Sequence, residues 1–150
     1  QELHEAFAEE PLEEGVAPEV GKMRIEPWLV EHGDETYAAV LLGQEGSRLA
    51  YLADGPASEE CIRIAHGADL LLAEATLPQE YAGHAPHMTA ADAAGLAQEA
   101  GVGVLVLTHV WPTTDRGTIQ REAETVFDGE VVVAEEGAVI EVLPGEGTRI

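Results

Sequence analysis

Apolar positions fall into short runs separated by glycine, proline and acid. Met23, Ile25, Trp28 and Val30 mark a first strand with Pro27 inside it. A proline cannot donate to a central ladder, so this strand belongs near a sheet edge. Tyr37 to Leu42 is a second strand, Gln44-Glu45-Gly46-Ser47 a turn, and Arg48 to Ala53 a third strand. Residues 23–53 therefore read as a β meander whose last two strands form a hairpin.

At Asp54-Gly55-Pro56 the pattern changes. Ser58 is a good N-cap, with Glu59 and Glu60 in a first turn that favours acid, and Gly67 is a stop after about His66. Asp69 to Ala75 is a buried strand with Glu74 near its carboxyl end. Thr89 with Asp92 opens a second helix like a capping box, and Ala93, Ala94, Leu96, Ala97 and Ala100 give it a small-residue apolar face. Gly101 and Gly103 end it. Val104 to Leu107 is apolar on both faces, which suits a sheet covered on both sides. A third helix is expected from about Gly117 to Phe127, then strands at Val131–Ala134 and Val139–Leu143. The order is a β meander followed by α-β-α-β-α-β-β, an α/β layer fold. Residues 1–22 are acidic and broken by Pro11, Gly15 and Pro18. They read as a short helix around Leu3 to Phe7 and a segment wrapping the surface.

One hundred and fifty residues suit one domain. The formal charge of -22 adds something the pattern does not. That much acid repels phosphate backbones and argues against a large nucleic-acid footprint. It fits solubility or a salt-rich cytoplasm equally. Cys61 stands alone, which fits a reducing compartment, and no apolar run approaches the ~20 residues needed to span a bilayer. The expected location is the cytoplasm. Because the chain begins at Gln1, a segment upstream is expected.

Candidate chemistry stands at the carboxyl ends of the predicted strands, where open α/β sheets bind ligands: His32, Asp54, Glu74 and His109, with His87 at a helix start. Carboxylate and imidazole on rigid elements are donors that Zn²⁺ or Mn²⁺ takes. Ordinary alternatives exist for each. Asp54 before Gly55-Pro56 is a common turn residue. His109 could be a satisfied buried histidine, Glu74 a cap, and His84 and His87 polar loop residues. His4 and His66 read as surface positions, Cys61 as a small apolar residue on the core side of its helix, and Glu9-Glu10 and Glu13-Glu14 as solvated acid.

Together the residues say more. His32 with Thr36-Tyr37-Ala38, Tyr51-Leu52-Ala53-Asp54, Ala68 to Ala75, His87-Met88-Thr89-Ala90 and Leu105 to His109 follow in register, closed by Val133 to Gly137 and Val139 to Val142. In these blocks the chain resembles the second half of a metallo-β-lactamase-fold hydrolase, of the branch similar to ribonuclease Z and small phosphodiesterases. The resemblance implies an αββα sandwich of which residues 1–150 are the C-terminal half. It implies two metal ions, Zn²⁺ or Mn²⁺, with Asp54 as the bridging carboxylate and His109 as the last histidine ligand. It implies that His87 acts beside the scissile phosphate as acid or charge stabiliser, that Glu74 orients a histidine, and that His32 supports the site. A homodimer is compatible with it.

There are departures. The family's His-x-His-x-Asp-His block is not in this sequence, nor is its further upstream histidine, and Gly-Asp-Thr is here Ala53-Asp54-Gly55. The expected partner is therefore the missing N-terminal half, in the same or another chain. The implied activity is metal-dependent hydrolysis of a small phosphodiester such as a cyclic nucleotide. A thioester or lactone hydrolase and a degenerate binding module are the alternatives.

Overall fold

The structure, a computed structural model, describes residues 10–33, 35–145 and 147–149. The expected helix at Leu3 to Phe7 and His4 lie outside them. Seven strands form one sheet in chain order: β1 (Glu19–Val20), β2 (Met23–Val30), β3 (Thr36–Leu42), β4 (Arg48–Tyr51), β5 (Leu70–Glu74), β6 (Val104–Thr108) and β7 (Glu130–Val133). The first four are antiparallel, and β4 to β7 are parallel. The parallel crossovers carry α1 (Glu59–Ala65), α2 (Ala90–Ala100) and α3 (Arg116–Glu124). A hairpin of β8 (Glu141–Leu143) and β9 (Gly147–Arg149) follows.

Pro27 sits where the pattern requires. The Ile25 N–H donates to the Pro18 carbonyl at 2.9 Å, and the Leu29 N–H faces the Glu14 carboxylate at 3.4 Å. Alternation points the Pro27 nitrogen to the same edge of β2, beyond the two-residue reach of β1, where no ladder bond is lost.

Caps set the helices. The Ser58 hydroxyl accepts from the Cys61 N–H, and Thr89 with Asp92 forms a complete capping box. Gly101 closes α2 in the left-handed conformation. Cys61 is buried, and His66 is exposed at the end of α1.

The alternate positions Ala38, Val40, Ala50, Leu71, Ala73, Leu105 and Leu107 pack with the buried faces of α1, α2 and α3. The opposite face holds a smaller cluster, Leu70, Val104 and Val106, against which Ile140 and Val142 of the β8 segment pack. β6 is thus covered on both sides, as its unbroken apolar run requires.

Three boundaries differ from the sequence reading by two residues or more. α3 ends at Glu124 rather than Phe127: Thr125 and Val126 turn the chain, and Phe127 drops into the core. The strand expected at Val139–Leu143 begins at Glu141, and Val139 is 84% exposed. The third strand ends at Tyr51, so Leu52 and Ala53 already belong to the loop that carries Asp54.

Candidate metal centre

The parallel register brings the strand ends together. Tyr51 pairs with Leu72 and Glu74 with Thr108, so the residues just past β4, β5 and β6 emerge at one edge. One donor atom each of Asp54, His87 and His109 lies within 4.8 Å of the other two. No second group of three such donors occurs among the described residues.

Each side chain is held from behind. Glu74 is 1% exposed, and its two oxygens lie 2.9 and 3.0 Å from His87 Nδ1. A carboxylate can only accept, so Nδ1 carries a proton and Nε2 is the free end of the ring. Glu74 Oε1 also accepts from the Gly55 N–H at 2.7 Å, tying the Asp54 loop to the same carboxylate. A Cβ at Gly55 would come within 2.9 Å of the Glu31 carbonyl oxygen. This close approach brings the end of β2, with His32, against the site. The His32 ring packs edge-on to His87 with centroids 5.2 Å apart, and His87 lies 6.0 Å from His109. His32 Nδ1 is buried without a hydrogen-bond partner among the described residues.

His109 Nδ1 lies 2.9 Å from Asp54 Oδ1 and 3.1 Å from the Thr76 hydroxyl, which donates to the His109 carbonyl at 3.1 Å. Thr76 is buried, and sequence reasoning missed it. Its one signal is its place two residues past Glu74. Tyr51, at the end of β4, borders the site. Its phenol pKa is raised, by burial first and then by the charges of Asp54 and Glu74, so it stays a neutral hydrogen-bond donor. His84 lies outside the cluster, on an exposed loop.

Asp54, His109 and His87 supply one carboxylate and two imidazoles. That donor set suits a borderline dication such as Zn²⁺.

The family model described as a beta-lactamase superfamily domain matches residues 2–110. The chain belongs to the β-lactamase superfamily. An uncharacterized protein of Mycobacterium tuberculosis is 35% identical over 114 residues, which cover 75% of this chain and 41% of that protein. Ribonuclease Z of Haloarcula marismortui is 38% identical over 116 residues, covering 72% and 37%. The crystal structure of the metallo-β-lactamase fold protein YhfI from Bacillus subtilis superposes with a TM-score of 0.80 at 30% identity, over 85% of this chain and 53% of YhfI. The fold is thus the metallo-β-lactamase fold. The chain spans about two fifths of the length of these two curated relatives.

Proposed function

We propose that the complete protein is a metal-dependent phosphodiesterase acting on a small phosphodiester such as a cyclic nucleotide. The convergence of Asp54, His87 and His109 on one point, with Glu74 behind His87, carries this reading. Asp54 and His109 would hold the metal, Zn²⁺ with Mn²⁺ as the alternative, and Asp54 would serve as the carboxylate shared by two ions. Further ligands come from a first-half segment in the same or another chain. That segment packs on the sheet face opposite the helices. When bound, the ions supply hydroxide at neutral pH and offset charge developing on the phosphate.

His87 gives the Nε2 proton to the leaving alkoxide oxygen. Glu74 holds its Nδ1 edge, fixes the ring and pairs with the cation while it lasts. His32 closes the far side of His87. The net charge of -22 favours a small diester over a nucleic-acid chain, and the lone cysteine favours a reducing cytoplasm.

The test is hydrolysis of bis(p-nitrophenyl) phosphate with metal content measured alongside. Asp54→Ala and His109→Ala are expected to lose both metal and turnover. A fully active Asp54→Ala would sink the assignment. A thioester or lactone turned over far faster than any phosphodiester would favour carbonyl chemistry at the same centre. No metal and no turnover would favour a binding module. The position of His87 within the donor cluster supports a second reading, in which it is a ligand. His87→Ala decides: turnover lost with metal retained makes it the acid, and metal lost makes it a ligand.

A further inference from the structure

The chain just past β5 is tied down on both sides. The Ala75 N–H donates to the Thr108 carbonyl at 2.9 Å, and the Leu77 N–H donates to the Met88 carbonyl at 3.0 Å. Thr76 is thus held between the residue before His109 and the residue after His87, and it is 5% exposed. Glu74 and Thr76 stand two residues apart on this run. Glu74 meets His87 at Nδ1. Thr76 meets His109 at the same ring atom, with Oγ1 3.1 Å away, and bonds the His109 carbonyl as well.

The proton count at Thr76 fixes the direction of these bonds. A hydroxyl has one proton and two lone pairs, and a carbonyl oxygen only accepts. The Thr76 proton therefore goes to the His109 carbonyl. A lone pair is left for Nδ1, and it makes a hydrogen bond only if Nδ1 carries a proton. Asp54 Oδ1, 2.9 Å from Nδ1, is an acceptor too. In a neutral ring a proton on Nδ1 leaves the free lone pair on Nε2, the nitrogen that can take a metal.

The two acceptors are not equivalent. Nδ1 and Nε2 point to opposite sides of the ring. Asp54 cannot rest on the Nδ1 proton and reach an ion at Nε2 in one pose, because a carboxylate is far shorter than that span. To share an ion with His109 it must leave Nδ1. Thr76 has no second task. Its backbone is anchored on both sides, and its burial keeps water from competing for the same proton.

We propose that Thr76 is the positioning residue of His109 in the metal-loaded centre. Its hydroxyl keeps the proton on Nδ1, leaves Nε2 as the donor and frees Asp54 for the ions. The inference rests on the reading of Asp54 and His109 as metal ligands. It deepens that reading by naming the nitrogen that binds and the group that holds the ring when Asp54 turns away.

Zinc binding and nitrogen NMR of the full-length protein test it without turnover. Long-range proton–nitrogen spectra of the zinc-loaded parent should place a proton on His109 Nδ1 and zinc at Nε2. Zinc at Nδ1 overturns the proposal. In chelator competition, Thr76→Val, which keeps the shape and loses the hydroxyl, should bind zinc about 10–100-fold more weakly. Thr76→Ser, which keeps the hydroxyl, should stay within about threefold of the parent. Thr76→Ala carries the valine expectation if the valine variant fails to fold, which circular dichroism checks. Valine affinity equal to the parent's, or serine as weak as valine, overturns the role of the hydroxyl. In the metal-free valine variant Asp54 should still hold the proton on Nδ1. A tautomer already lost there would make Thr76 a support of the fold and overturn its role at the loaded centre. A parent that binds no zinc sinks the metal centre itself, and this proposal with it. A parent that binds zinc without hydrolysing bis(p-nitrophenyl) phosphate sinks the phosphodiesterase reading alone, and the binding series still decides Thr76.

Discussion

Ala53 and His109 are the non-glycine residues with positive φ among the described residues, at 56° and 50°. A left-handed conformation costs an L-residue about 1–2 kcal/mol, so something must hold each in place. For Ala53 it is the Asp54 loop, pinned through the Gly55 N–H to Glu74. For His109 it is Thr76, bonded to both its ring and its carbonyl. A glycine occupies such a backbone freely, which gives a physical reason for the glycine that the related motif carries where Ala53 stands. Ala53→Gly is expected to stay within about 1 kcal/mol of the parent in urea unfolding, strain relief offsetting chain entropy. Ala53→Val, β-branched, should lose about 2 kcal/mol or more. A valine variant as stable as the parent would contradict the strain. Glu74→Gln keeps shape and removes charge from behind His87. It should lower kcat about 10–100-fold with metal content retained and KM nearly constant. An unchanged kcat would remove Glu74 from any positioning role. Asp54 and His109 were legible in the sequence because each stands just past a strand, and His87 because it stands just before a capped helix. Thr76 and the twist at Ala53 were not, because a threonine after a strand and an alanine before an aspartate are ordinary. Their roles exist only once the β5–β6 register sets Glu74 opposite Thr108.

Among the elements, helices with explicit caps were legible to within a residue or two, and short strands were not. Thr89, Asp92 and Gly101 state where α2 begins and ends. β1, of two residues, and β9, of three, exist because a partner strand passes by, a fact no local pattern encodes. α3 misled at its far end because Val126 and Phe127 continue the apolar pattern while Thr125 already leaves the helix. Its start depends on Asp115, whose carboxylate accepts from the Thr118 hydroxyl and backbone N–H, both at 2.8 Å. These bonds, the hydroxyl first, hold the Asp115 pKa below its ordinary value. A lowered carboxylate pKa stabilises the fold fully above the unfolded-state value, and the gain disappears as pH falls through the lowered one. The amide protons of the first turn of α3 should therefore lose exchange protection on acidification in the parent protein. In Asp115→Ala they should be weakly protected across the same range. Equal protection in both proteins at neutral pH would show that the cap is idle.

At the scale of the molecule, two forces act against each other over one sheet. Helices cover one face. On the other, the alternation that turns Trp28, Val30, Ala38 and Ala50 toward the core turns Met23, Leu29 and Tyr51 outward, with Val20 beside Met23. All four are more than a third exposed. The sequence carries 29 acidic side chains against 7 basic ones, and like charges in that number push the compact state apart. Salt relieves this, since the screening length falls from about 10 Å at 0.1 M to about 3 Å at 1 M. The thermal midpoint of the full-length protein should therefore rise as sodium chloride is added. A divalent ion should raise it by a separate route, because an ion bound only by the folded state stabilises it by about 2.7 kcal/mol at a hundredfold excess over its dissociation constant. The two contributions have different dependencies. The ion's effect needs Asp54 and His109 and should vanish in Asp54→Ala and His109→Ala, whereas the salt effect comes from the whole surface and should survive both. Differential scanning of the parent and the two variants, with and without Zn²⁺ and across a salt series, separates them. A midpoint indifferent to salt would mean that the acid is spread too thinly to strain the fold. A Zn²⁺ shift that persists without Asp54 and His109 would place the ion somewhere other than the convergence of β4, β5 and β6.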